Sequence, residues 1–242
     1  MTNASALAYL EPLERRTRNV AVLDALAEMV ERSGMTIGDR LPPEVSLAAS
    51  LGVGRSTIRE ALNRWEGLGI IKRRRGDGTY LSARVQTSRG LVPTMVRLEG
   101  EALLRLIEIR RALEIDVVRK ATLKATQEQR IEIARLCDLL LEEVYSGRPW
   151  RKADHAFHTA IYDASGNPMY GQILSNLGDA LERDDSSPFN LDAFGLESFP
   201  IHRDLSDAIL AKDAPAAVDA INRCLDTVEA EVRMLINDGR PA

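Results

Sequence analysis

Two residues, Val53 and Gly54, are all that separate one apolar helical stripe from the next, and this spacing constrains the chain more than any other feature. Before them, Pro42 and Pro43 set a helix start and Glu44 suits the positive end of a helix dipole. Leu47, Ala48 and Leu51 then form an apolar face that Gly52 stops. After them, Ile58, Ala61, Leu62, Trp65 and Leu68 recur at i, i+3, i+4, i+7 and i+10. Two short helices joined through a glycine turn read as a helix-turn-helix. An amphipathic helix precedes the pair, with Val20, Leu23, Ala27 and Val30 on one face and Gly34 where a C-cap is expected.

On the side of the third helix away from its stripe stand Ser56, Arg59 and Asn63, with Arg55 and Thr57 near its start. These groups can donate to phosphates or to guanine edges, and an arginine reaching O6 and N7 of guanine discriminates by about 1–3 kcal/mol. Gly69 ends the helix, Ile70 to Arg73 and Thr79 to Leu81 read as two short strands, and Gly76-Asp77-Gly78 supplies the turn. The hairpin is a wing whose leading edge, Lys72-Arg73-Arg74-Arg75, carries four positive charges. A DNA backbone rewards such a cluster through counterion release. A helix-turn-helix pattern arises often by chance, and a basic run is usually a solvated face. Their conjunction in one segment points to double-stranded DNA.

Charge divides the chain in the same place. Leu13 to Arg84 holds 13 basic and 9 acidic residues, whereas Val85 to Ala242 holds 19 and 26, although the whole carries a net of only −4. Ser82 to Thr94, with Gly90 and Pro93, has neither helical nor strand periodicity. The expected organisation is a tail over 1–12, a winged helix-turn-helix over 13–84, a linker over 85–97, an all-helical unit over 98–237 and a tail over 238–242. At 242 residues with 45% hydrophobic content, two real cores are affordable in apolar material, and extended disorder is excluded. No apolar run is long enough to span a bilayer and Met1 to Leu10 lacks a signal-peptide pattern, so a cytoplasmic protein without membrane contact is expected. Cys137 and Cys224 are too few for a disulfide framework.

From Glu101 onward helical stripes follow one another. Leu103, Leu106, Ile107, Ile109 and Leu113 begin the first; others span Thr126 to Tyr145, Trp150 to Ala164, Pro168 to Arg183, Ser198 to Lys212 and Pro215 to Ile236. A loop fills Asp184 to Leu196. The fold class is therefore mainly α, with three helices and a hairpin wing followed by an antiparallel helical bundle. Asp154 and His158, four apart, share one helix face. His202 and Cys224 each lie 11 residues from Asp213, which puts them about 16 Å from the turn on adjacent helices and able to face one another. Asp154, His158, His202 and Cys224 make a set of four that could hold zinc. The alternative is a small buried thiol and hydrogen-bonded structural histidines. His155 points about 100° away from Asp154 and reads as a surface residue, and Cys137 as structural.

The run Gly38-Asp39-Arg40-Leu41-Pro42-Pro43-Glu44, then Leu51-Gly52-Val53, Arg55, Thr57, Arg59-Glu60-Ala61-Leu62 and Gly76-Asp77-Gly78-Thr79, closely resembles the GntR family of bacterial winged-helix repressors. The resemblance implies base or phosphate contacts from Arg55, Ser56, Thr57 and Arg59, and minor-groove entry by Arg75 with Gly76. Val45 and Gly54 replace polar residues common in that family, so the operator is expected to differ. Downstream, Arg110 with Glu114, Asp154-His155-Ala156-Phe157-His158, Ala164-Ser165-Gly166-Asn167-Pro168 and His202-Arg203-Asp204-Leu205 resemble the FCD effector domain of the FadR subfamily. That likeness implies a divalent metal held by Asp154, His158 and His202, with Cys224 where a last histidine is usual. A thiolate there would favour zinc; a site of three ligands, or of none, stays open. It also implies that Arg110 pairs with the carboxylate of a small organic acid, against a competing Arg110–Glu114 ion pair.

The resulting expectation is a homodimeric regulator, a repressor, that reads a pseudo-palindrome and answers to a small carboxylic acid. One alternative is a metal-dependent enzyme, although the sequence has no HExxH or comparable element to supply a general base beside a metal; the other is a regulator whose effector domain has lost metal binding and serves as a dimerisation scaffold.

Overall fold

The computed structural model describes residues 15–85, 92–179, 187, 189, 191 and 193–238. The expected tail over 1–12, residues 86–91 of the linker and the end of the fourth bundle helix after Asp179 lie outside them. The described chain divides into two compact units, at Leu98 and Glu99.

In the first unit, α1 (Arg15–Arg32) is followed by α2 (Glu44–Leu51) and α3 (Arg55–Gly67), then β1 (Ile71–Arg74) and β2 (Gly78–Leu81). Pro43 is the N-cap of α2, and Gly52 closes it in the left-handed conformation, φ 64°, which a glycine adopts without a Cβ penalty. The stripe on α3 is its core face: Ile58, Leu62 and Trp65 have no exposed surface. Burial of each such side chain is worth about 1.5–3 kcal/mol. Both α1 and α2 pack against α3, which in turn packs on β1.

The strands pair antiparallel, with Ile71 opposite Leu81 and Arg74 opposite Gly78. β1 starts one residue later than expected because Ile70 is engaged outside the ladder, its N–H donating to the Trp65 carbonyl and its own carbonyl accepting from Ser82, and β2 starts one residue earlier because Gly78 pairs with Arg74. Residues 38–41 add an edge to the hairpin that periodicity did not disclose. Leu41 N–H donates to Thr79 O at 2.8 Å and Leu81 N–H to Asp39 O at 2.9 Å.

The second unit is a helical bundle. Its helices are α4 (Thr94–Lys124), whose first turn precedes the division at Leu98, α5 (Gln127–Tyr145), α6 (Arg151–Ala164), α7 (Met169–Asp179), α8 (Phe199–Leu210) and α9 (Ala214–Asp238). A 3-10 turn, Leu196–Ser198, leads into α8. The first turn of α4 thus occupies residues read as linker, and Asp238 ends α9 rather than opening a tail. Thr126 and Gln129 form a reciprocal capping box at the start of α5. Asp213 accepts the Ala216 N–H at 3.0 Å to cap α9. α5 packs on α6 and α8, and α8 on α9, so the helices that carry the candidate ligands are neighbours across a common core.

Candidate functional site

The outer face of α3 carries Arg55, Ser56, Arg59 and Asn63 exposed, with Thr57 half-buried. Arg75 and Gly76 are exposed at the wing turn, where Gly76 has φ 75°. Two of these residues are already engaged. Arg59 donates to Glu44 Oε2 through Nε at 3.2 Å and Nη2 at 2.9 Å. Asn63 Oδ1 accepts from Arg73 Nη1. Arg73 also donates its backbone N–H to Glu66 Oε1 and its Nη1 to Glu66 Oε2, both at 3.0 Å, and its Nη2 lies 3.7 Å from Glu44 Oε1. One arginine of the basic edge therefore ties the wing to α3 and to the start of α2. Arg74 stacks over the Tyr80 ring at 4.3 Å, while Lys72 and Arg75 remain exposed. Glu44, Glu66 and the holding role of Arg73 were not read from the sequence, since pairings 15 and 7 residues apart follow from how the elements cross.

In the bundle, α6 and α8 bring Asp154, His158 and His202 together, with one ligand atom of each within 4.8 Å of the others. His158 Nε2 and His202 Nε2 are 3.2 Å apart, and they lie 3.6 and 3.4 Å from Asp154 Oδ1. The outer edge of His202 is fixed: its Nδ1 stands 3.1 Å from the Ser198 carbonyl, the acceptor one helical turn back. A ring that donates there leaves Nε2 turned toward Asp154 and His158. Phe157 and Phe199 pack around the rings, with centroids 5.6 and 5.2 Å from that of His202. Burial opposes the charge on Asp154, yet His158, His202 and Arg110 hold its carboxyl below the usual value. Burial pushes His158 down. Burial also opposes a charge on His202, but hydrogen bonding to Asp154 and Cys224 lifts it to about 10. Two imidazoles and a carboxylate with converging donor atoms are a donor set that fits a divalent metal.

The fourth expected ligand is elsewhere. Cys224 Sγ lies 3.9 Å from His202 Nδ1 and 3.9 Å from Ser198 O, on the Nδ1 side of the ring. His155 is exposed, and Cys137 is buried with its thiol donating to His202 O at 3.4 Å.

One turn of α4 supplies the neighbouring ion pair. Arg110 Nη2 donates to Glu114 Oε1 at 2.8 Å, and the Tyr162 hydroxyl donates to the same oxygen at 2.9 Å. Glu114 has no exposed surface, whereas the Arg110 side chain keeps 31%. Burial works against the Arg110 charge, but Glu114 and Tyr162 outweigh it and hold the guanidinium charged. Both the pairing with Glu114 and a role toward a ligand remain open to this side chain, because Nη2 serves Glu114 while Arg110 Nε is buried without a partner. Tyr162 was missed in the sequence, although it continues the four-residue step Asp154, His158, Tyr162 on one helix face.

Two family models match the chain. Residues 19–81 match "Bacterial regulatory proteins, gntR family" and residues 105–227 match the FCD domain. The chain belongs to the GntR family. LutR of Bacillus subtilis, an HTH-type transcriptional regulator, is 32% identical over 63% of this chain and 70% of its own length. The HTH-type transcriptional repressor NanR of Cronobacter sakazakii is 28% identical over 90% and 86%. A putative L-lactate dehydrogenase operon regulatory protein of Escherichia coli is 28% identical over 90% and 87%. The solved structure of E. coli McbR/YncC shares the fold, with a TM-score of 0.51 at 19% identity over 91% of this chain and 99% of that one. This GntR-family chain is a transcriptional regulator with an FCD effector domain, and not an enzyme. No helix among its described residues is long and apolar enough to cross a membrane.

Proposed function

We propose that the chain is a cytoplasmic, homodimeric repressor of the FadR subfamily whose affinity for a pseudo-palindromic operator is set by a small organic acid bound near a divalent metal. In this reading residues 13–84 bind DNA through Arg55, Ser56, Thr57, Arg59, Asn63, Arg75 and Gly76, and residues 98–237 bind the effector and dimerise. The linker over 85–97, which includes the first turn of α4, joins the two. Asn63 acts on DNA together with Arg73, which already holds it.

The observation that carries the effector half is the convergence of Asp154, His158 and His202, with the charged Arg110 close enough to lower the Asp154 carboxyl. Those three residues would hold the metal, which would supply positive charge toward a carboxylate. Arg110 offers charge-assisted hydrogen bonds to the same group. The names of NanR and of the lactate dehydrogenase operon regulator agree with a repressor and with an organic-acid signal. Dimerisation follows from recognition, since one recognition helix covers too few base pairs for useful specificity.

An effector changes DNA affinity only by binding the DNA-competent and incompetent states unequally, and a hundredfold release corresponds to about 2.7 kcal/mol of coupling. The test is to select DNA from a random pool with the full chain and titrate the complex with small mono- and dicarboxylic acids. A two-fold-related site released by at least one acid is the expected result. An asymmetric single half-site, or affinity unchanged across a broad panel, would contradict the proposal.

A further inference from the structure

We infer that Cys224 is a positioning residue behind His202 and not a metal ligand, so that the centre consists of Asp154, His158 and His202 with its remaining coordination positions open. This rests on the metal reading above and goes beyond it by assigning the ligand set. An imidazole binds a metal along the lone pair of one nitrogen, and here Nε2 is the nitrogen that faces Asp154 Oδ1 and His158 Nε2. The thiol stands at the other nitrogen, 3.9 Å from Nδ1. The sulfur thus meets His202 on its Nδ1 side, and it is not among the ligand atoms that converge within 4.8 Å. A zinc–sulfur bond needs about 2.3 Å, so a ligating sulfur would have to leave its place beside Nδ1 and Ser198 O.

What Cys224 does instead follows from its neighbours. Its Sγ is 3.9 Å from Ser198 O, the carbonyl that takes the Nδ1 proton of His202, and the residue is 5% exposed on the buried face of α9. A small, weakly polar group at that point fills the space beside the ring, and its thiol shares the Ser198 carbonyl with the imidazole as the weaker, longer donor. It helps to keep His202 in the tautomer and orientation that present Nε2. Two consequences follow. Without a thiolate, the set of two imidazoles and one carboxylate suits iron(II), cobalt and nickel as well as zinc, so the zinc bias implied by a cysteine ligand disappears. With three protein donors, open positions are left for an organic acid that can reach the metal through more than one oxygen.

The test loads the full chain with cobalt(II) and, separately, zinc(II), in the unsubstituted protein and in the Cys224→Ser, Cys224→Ala and His202→Ala variants. The expected spectrum of the unsubstituted cobalt protein has no thiolate-to-cobalt charge-transfer band. One metal per chain is expected to remain in Cys224→Ser and Cys224→Ala, with affinity weakened by about tenfold, the lower end of second-sphere effects. His202→Ala should lose stoichiometric binding. A charge-transfer band in the unsubstituted protein that vanishes in Cys224→Ser would overturn the inference while leaving the metal reading intact. Absence of cobalt and zinc binding in the unsubstituted chain would overturn the metal reading itself. The unsubstituted spectrum decides the question even if a variant fails to fold.

Discussion

Both units carry exposed ion pairs, Arg59–Glu44 in one and Arg223–Asp204 in the other, but among the described residues the bundle alone adds buried ones. On the DNA-binding unit the ion pairs lie at the surface: Arg59 keeps 56% of its side chain exposed beside Glu44 at 24%. In the bundle, Glu114 is fully buried between Arg110 and Tyr162, and His202 is 6% exposed beside Asp154. A surface pair is worth about 0–1 kcal/mol and can be exchanged for a phosphate or a base edge at little cost. A buried pair cannot be separated cheaply, because either partner left alone is a charge without solvent. One unit is thus built to trade partners, and the other to hold its groups in place before a ligand arrives.

The sharpest way to break this contrast is at Glu114. Glu114→Ala should destabilise the chain by about 3–5 kcal/mol in chemical denaturation, as removal of one member of a buried pair does. A loss below about 1 kcal/mol would mean that the pair behaves like a surface one. Arg59→Ala should weaken operator binding by about 1–3 kcal/mol in fluorescence anisotropy, with the unfolding free energy nearly unchanged. Glu44→Ala sharpens the same point from the other side. It should alter folding stability by less than about 1 kcal/mol, yet steepen the salt dependence of DNA binding by about one unit of slope, because Arg59 no longer has to leave a carboxylate to meet a phosphate. The smallest expected effect concerns Cys137, whose thiol burial raises to about 11. A raised thiol pKa keeps the unreactive protonated form through neutral and mildly alkaline pH. A thiol reagent at pH 8 should therefore leave Cys137 unmodified until the bundle unfolds, and rapid labelling of the native chain would show that the core there opens readily.

How much of this was legible in the sequence varied with the distance over which the information acts. The helix pair around Val53 and Gly54 was legible because each stripe and each stop, Pro43, Gly52 and Gly69, is a local signal. The shared face of Asp154 and His158 was legible for the same reason, and the turn at Asp213 allowed Cys224 to be placed opposite His202. The side of His202 on which the thiol would fall was not legible. Equal height on two helices fixes which residues meet, but the orientation of the imidazole is set by the Ser198 carbonyl and by Phe157 and Phe199, contacts that no periodicity encodes. The Arg73 network on the wing was hidden in the same way. A run of four basic residues looks uniform in sequence, and only the hairpin register separates Arg73, turned toward α3, from exposed Lys72 and Arg75.

If the prebuilt site in the bundle governs the exchangeable face of the DNA-binding unit, operator affinity responds to an acid only while the metal is in place. This dependence is tested most directly by measuring the affinity of the full chain for its selected operator with and without a responsive acid, in metal-loaded and in chelator-stripped protein. The acid should weaken operator binding in the loaded protein and have little effect in the stripped one. Equal responses in both would contradict it, by showing that the acid acts without the Asp154, His158 and His202 centre.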